Sequence, residues 1–93
     1  MSNTQTMPGR FHTWTLGDRL RAAREEAGYE VRTFSALTGI SPGTITNYEK
    51  DRSRPRAPYL RAWSEVTGFD ARWLLTGHIP DGGEPVTKSV TYR

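Results

Sequence analysis

The sequence predicts an all-α fold of five short helices, with a candidate short β-strand in the C-terminal tail. Three observations carry this expectation. Helix-start residues (Thr15, Ser41 followed by Pro42, and Asp70) stand ahead of stretches with helical apolar spacing. Gly28, Gly68 and Gly77 stand at the far ends of such stretches, where a left-handed stop favours a residue without Cβ. Between them, Val31 to Lys50 reads as two short helices joined by a tight turn.

Residues 1–13 read as a flexible arm, rich in Ser, Asn, Thr, Gln, Pro and Gly and without a helical period. The first helix begins after Thr15, with Asp18 three residues on as a partial capping box. Leu16, Leu20, Ala23 and Ala27 form its apolar face, and Gly28 stops it. Trp14 either staples this helix or sits in an interface.

The second helix spans Val31 to Thr38, with Phe34 and Leu37 expected to face inward and Ser35 small where the next helix crosses. Gly39, Ile40 and Ser41 make the turn. The third helix spans Pro42 to Lys50, with Ser41 as N-cap. Proline loses no hydrogen bond at the first helical position, and it pushes the preceding residue out of the α region, where an N-cap belongs. Ile45 and Tyr48 point to the core, the Tyr48 hydroxyl reaching the surface. Two helices with this turn make a helix-turn-helix, whose second helix lies in the DNA major groove.

Pro55 and Pro58 break the chain into a loop from Arg52 to Pro58. The fourth helix runs from Pro58 to Thr67, with Leu60, Trp63 and Val66 inward and Gly68 as its stop. Asp70 caps the fifth, Ala71 to Thr76, which carries Trp73, Leu74 and Leu75. Trp63 and Trp73 are expected in the core. In the tail, residues 78–93, Val86, Lys88, Val90 and Tyr92 alternate with Thr87, Ser89 and Thr91, the period of a strand.

Ninety-three residues allow a single small domain, expected at 14–77. No cysteine is present, so neither a disulfide framework nor a thiolate metal site is available. No apolar run reaches the roughly 20 residues that span a membrane, and no signal peptide is visible. His12 and His78 lack partners at metal-ligand spacing, and no phosphate-binding glycine motif occurs. Ser35 and Ser41 already have structural roles, leaving no nucleophile for a triad. The expectation is therefore not an enzyme, with no cofactor and no metal. The net charge is +3, and its distribution is telling: Lys50, Arg52, Arg54 and Arg56 cluster directly after the third helix, opposed only by Asp51.

The helix order resembles the phage Cro/cI repressor type of helix-turn-helix domain, the XRE family, over Leu16 to Gly77. The resemblance rests on the Gly39-Ile40-Ser41 turn, Thr44-Ile45, Glu49 ending the third helix, a proline after a basic loop, and Trp73-Leu74-Leu75-Thr76-Gly77 closing the domain. It implies the five-helix lambda-repressor-like fold. It also implies that the start and outer face of the third helix read bases, here Pro42, Gly43, Thr44, Thr46 and Asn47. Asn47 suits adenine, because its amide can accept from N6 and donate to N7 together. Thr44 and Thr46 suit a thymine methyl or a phosphate. Arg32, Lys50, Arg52, Arg54 and Arg56 are the expected phosphate contacts, and Arg24 with Glu49 an expected structural ion pair. The bland alternatives are a solvated Asn47 and a solvated charged loop.

Four positions depart from the family pattern. Val31 replaces the glutamine usual at the first position of the second helix, where it touches phosphate. Thr38 replaces an apolar residue. Pro42 and Gly43 replace long polar readers, and Gly43 costs about 1 kcal/mol in a helix relative to Ala. Either the backbone approaches DNA closely there or fewer bases are read.

The function implied is a sequence-specific transcriptional regulator of double-stranded DNA, a phage or prophage repressor or Cro-like protein. The expected partners are an operator duplex and a second copy of the chain, with neither a membrane nor a small-molecule substrate. The expected location is the bacterial cytoplasm, at the nucleoid. Val86, Val90 and Tyr92 are candidate dimerisation residues, pairing with Phe11 to Trp14 or with a partner chain. The alternatives from other classes are an antitoxin-like protein-interaction module and an architectural or excision factor that bends its site.

Overall fold

The computed structural model describes residues 13–79. The arm through His12 and the expected tail strand with Val86, Val90 and Tyr92 lie outside the described residues. The described chain forms α1 (Leu16–Glu26), α2 (Val31–Thr38), α3 (Pro42–Glu49), α4 (Ala57–Thr67) and α5 (Ala71–Thr76), with no β-strand among these residues. No helix among them is long and apolar enough to cross a membrane.

The local signals act where they stand in the sequence. Thr15 and Asp18 close a full capping box at the start of α1, each side chain accepting the other's backbone N–H. Ser41 caps α3 and Asp70 caps α5 by accepting the third backbone N–H of each helix. Gly39, Gly68 and Gly77 end α2, α4 and α5 in the left-handed region, and Gly28 follows the Ala27 cap of α1 in the same conformation.

The helices enclose one core of Leu20, Ala23, Phe34, Ile40, Ile45, Tyr48, Trp63, Phe69 and Leu74. α1 packs on α3, α4 and α5, while α2 packs on α3 and α4. Trp63 sits at the centre, fully buried. Phe34 meets it edge-on at 4.7 Å between ring centroids, a favoured aromatic geometry. The Trp63 indole N–H donates to the Leu20 carbonyl at 3.0 Å, so this buried donor is satisfied.

Several expectations need correction. α3 ends at Glu49, with Lys50 as its cap, and α4 starts at Ala57 with Pro58 in its first turn. Leu37 does not face inward: it is 52% exposed. Ile40, read only as a turn residue, is 1% exposed and fills the core beyond the end of α2. The turn that carries it inward is closed by Thr38. Its hydroxyl donates to the Phe34 carbonyl at 2.8 Å and accepts the Ile40 N–H at 3.2 Å, which explains a polar residue there. At α5 only Leu74 is buried: Leu75 is exposed, and Trp73 is half-buried against Phe69. Ala27 is the half-buried cap of α1 rather than part of its helical face.

Candidate nucleic-acid interface

The start of α3 is rigid for local reasons. Ser41 is extended, at φ −64° and ψ 152°, and its Oγ accepts the Thr44 N–H at 3.2 Å. The Ser41 hydroxyl also donates to Thr44 Oγ1 at 2.9 Å, which fixes the Thr44 side chain at the helix tip. With Ile45 and Tyr48 buried, the opposite side of α3 must face solvent. At about 3.6 residues per turn, Gly43, Asn47 and Lys50 fall on that outward stripe. All three are exposed, as is Pro42 at the tip.

The five expected base readers therefore do not share one face. Thr44 and Thr46 are half-buried and flank the stripe on opposite sides. Thr46 turns towards α1, where it lines a shallow groove with Arg21, Arg24, Glu25, Glu49 and Lys50. A Cβ added at Gly43 would meet nothing within 4 Å, so packing within the chain does not require glycine there.

The basic loop leaves α3 through a tight reversal. The Asp51 N–H donates to the Tyr48 carbonyl at 3.1 Å, and the Arg52 N–H donates to the Asn47 carbonyl at 2.8 Å. This pair of bonds is a Schellman closure, with Asp51 in the left-handed position at φ 59°. The Arg52 guanidinium reaches the Asn47 side-chain oxygen at 3.4 Å, a long contact that links the loop to the outward stripe of α3. Lys50, Arg52, Arg54 and Arg56 are all exposed, and none forms an ion pair among the described residues. Arg32 is also exposed, in the first turn of α2.

Arg24 and Glu49 hold α3 against α1. Arg24 Nε donates to Glu49 Oε2 at 2.6 Å and Nη2 donates to Oε1 at 2.9 Å, a two-pronged pair. Arg24 Nη1 also donates to the Tyr29 carbonyl at 2.7 Å, tying down the turn after α1. The Glu49 hydrogen bond raises the Arg24 pKa above its ordinary value, with burial working against it. Both side chains are over nine-tenths buried, so neither is presented to a ligand.

Two polar residues that tie distant parts of the fold together, Asp51 beside this surface and Arg19 against the end of α5, carried no local sequence signal. Asp51 Oδ1 accepts the Gly17 N–H at 2.9 Å, and Oδ2 accepts the Thr15 hydroxyl at 2.6 Å. Arg19 donates to the Leu74 and Leu75 carbonyls at 2.9 and 3.0 Å, and to the Trp14 carbonyl at 3.1 Å. Burial lowers the Arg19 pKa, and the Asp18 and Asp51 charges work the other way. Trp14 is half-buried beside Arg19, Trp73 and His78.

Residues 17–78 match the family described as "Helix-turn-helix domain". This chain belongs to that helix-turn-helix family. The resemblance to the Cro/cI repressor type is shown with it, as is the five-helix lambda-repressor-like fold. Among similar family proteins is the HTH-type transcriptional regulator ImmR of Bacillus subtilis, 31% identical over 61 residues. That match covers 66% of this chain and 48% of ImmR. An uncharacterised HTH-type transcriptional regulator of Haemophilus influenzae is 38% identical over 48 residues, covering 52% of this chain and 20% of that protein. The chain thus spans half or less of the length of these curated relatives. Among solved structures, the P22 c2 repressor, crystallised in complex with a synthetic operator, superposes with a TM-score of 0.67. It is 26% identical, and the match covers 71% of this chain and all of that one.

Proposed function

We propose that this protein is a sequence-specific double-stranded-DNA-binding transcriptional regulator of the phage or prophage repressor or Cro-like type, acting in the bacterial cytoplasm. The observation that carries it is the exposed stripe Gly43, Asn47 and Lys50 on α3, continued by the exposed cations of the Arg52 to Arg56 loop, none of which forms an ion pair among the described residues. An α-helix fits the major groove, and exposed cations beside it neutralise phosphates. The P22 c2 repressor, which superposes over the whole of its length, is a protein bound to its operator.

In this mechanism α3 enters the major groove and Asn47 contacts a base edge. Arg32, Lys50, Arg52, Arg54 and Arg56 grip the backbone on either side. Phosphate contacts set register, while base contacts set sequence. One module of this size buries little surface on DNA, so the functional unit is a homodimer on two half-sites about one helical turn apart. Bound protein then excludes polymerase or recruits it.

The test is selection of bound duplexes from a random pool, with Asn47→Ala in parallel. A pseudo-palindromic motif that the variant loses or relaxes is the expected result. No enriched motif with the wild-type chain would sink the proposal.

A further inference from the structure

An acidic residue, Asp51, sits between Lys50 and Arg52 at the head of the basic loop, where simple electrostatics predicts that it repels phosphate. Its geometry gives it other work. Asp51 occupies the left-handed position of the turn that closes α3, at φ 59°. That position favours glycine, because a Cβ is strained there. The strained residue is held by two hydrogen bonds to a helix far away in sequence. Oδ1 accepts the Gly17 N–H at 2.9 Å, one of the donors that the first turn of α1 leaves unpaired. Oδ2 accepts the Thr15 hydroxyl at 2.6 Å. Thr15 is itself the N-cap of α1. The carboxylate therefore faces the positive end of α1, where a negative charge is favoured.

A second observation shows how close this seam is. A Cβ built on Gly17 would lie 2.5 Å from the Glu49 carbonyl oxygen and 2.8 Å from Asp51 Oδ2. No side chain fits there without displacing the end of α3. The start of α1 and the exit of α3 are thus docked backbone to backbone, with Asp51 as the latch.

We infer that Asp51 is a positioning residue: by latching the exit of α3 to the start of α1, it sets where Lys50 and the Arg52 to Arg56 loop present their charges to the DNA backbone. This rests on the DNA-binding function proposed above. The latch acts on the loop through the next residue. The Arg52 N–H is bonded to the Asn47 carbonyl, so a shift at Asp51 moves Arg52 and the reading stripe together.

The test uses the full chain, the duplex selected by the wild type, and two variants. Asp51→Gly keeps the left-handed backbone without strain and removes the latch. Asp51→Asn keeps the shape and removes the charge. Affinity is measured by fluorescence anisotropy across a salt series, with thermal melts to confirm folding. The positioning role predicts that Asp51→Gly binds its duplex roughly tenfold more weakly, with a salt slope shallower by about 1 for each phosphate no longer gripped. Asp51→Asn should fall between it and the wild type. A merely repulsive carboxylate predicts the opposite sign, so variants that bind as tightly as the wild type or tighter overturn the inference.

Amide hydrogen exchange separates this failure from failure of the DNA-binding function. If the wild type selects no duplex, DNA binding is wrong, and the latch is then judged by exchange alone. Asp51→Gly should deprotect the Gly17 amide, whose acceptor it removes. Unchanged protection there overturns the latch, whatever the DNA result.

Discussion

Gly17 in α1 and Glu49 in α3 approach so closely that no Cβ fits between them: one built on Gly17 would sit 2.5 Å from the Glu49 carbonyl oxygen. At Gly43, by contrast, an added Cβ meets open space. Both glycines are helical and neither needs a positive φ. The same substitution should therefore have opposite signs at the two sites. Gly17→Ala should destabilise the fold by about 1–3 kcal/mol, as overpacking does, despite the gain in helix propensity. Gly43→Ala should stabilise it by roughly 0.4–1 kcal/mol. It should also weaken operator binding, if bare backbone lies against DNA there. Urea denaturation and anisotropy read the two effects separately. Equal affinity for Gly43→Ala would mean that the backbone does not approach the groove.

The Arg24–Glu49 pair is buried and bonded at both prongs. Removing one partner leaves the other charged and without solvent, which costs about 3–5 kcal/mol. Arg24→Ala or Glu49→Ala should thus lower the urea midpoint by most of the stability of so small a domain. Arg24→Met combined with Glu49→Leu should recover part of the loss, because the apolar pair carries no desolvation penalty. A double variant no better than the worse single one would mean that geometry matters here more than burial of charge.

Lys50, Arg52 and Arg54 are exposed and unpaired within the described chain, so their charges are available to phosphates. Each one replaced by alanine should reduce the slope of log affinity against log salt by about 0.9 for every phosphate it had neutralised. The base preference should stay unchanged, since phosphate contacts carry no sequence information. A shift in the selected motif for Arg52→Ala would instead place this residue on a base edge, next to Asn47.

Leu37, expected to face inward, is exposed, and Ile40, read only as a turn residue, fills the core. Leu37→Ser should alter stability by no more than about 0.5 kcal/mol, as exposed positions do. Ile40→Ala should cost about 2–5 kcal/mol through transfer and cavity terms. Thermal melts of the two variants side by side decide this, and a large loss for Leu37→Ser would show that the face it occupies is covered in solution.

The residues themselves announce nearly every helix end. Caps at Thr15, Ser41 and Asp70 and the stops at Gly28, Gly39, Gly68 and Gly77 act through hydrogen bonds and backbone preferences that reach only a few residues along the chain. Such terms are present in the sequence before anything packs. The Arg24–Glu49 pairing is also legible, but through resemblance rather than spacing, since its partners are 25 residues apart. What stays hidden depends on how the helices cross. Asp51 meets Gly17 across 34 residues, and Arg19 meets the end of α5 across 55. A charged residue in a loop looks solvated until the fold places an unpaired helix end beside it. Leu37 and Ile40 differ because the turn, and not the helical period, decides which side chain reaches the core. The spacing of Ile45 and Tyr48 sets the rotation of α3 and so parts Thr44 and Thr46 to opposite flanks, but only the packing of α3 on α1 decides that the Thr46 flank is the one covered, because no local term along the chain says which helix will lie beside it.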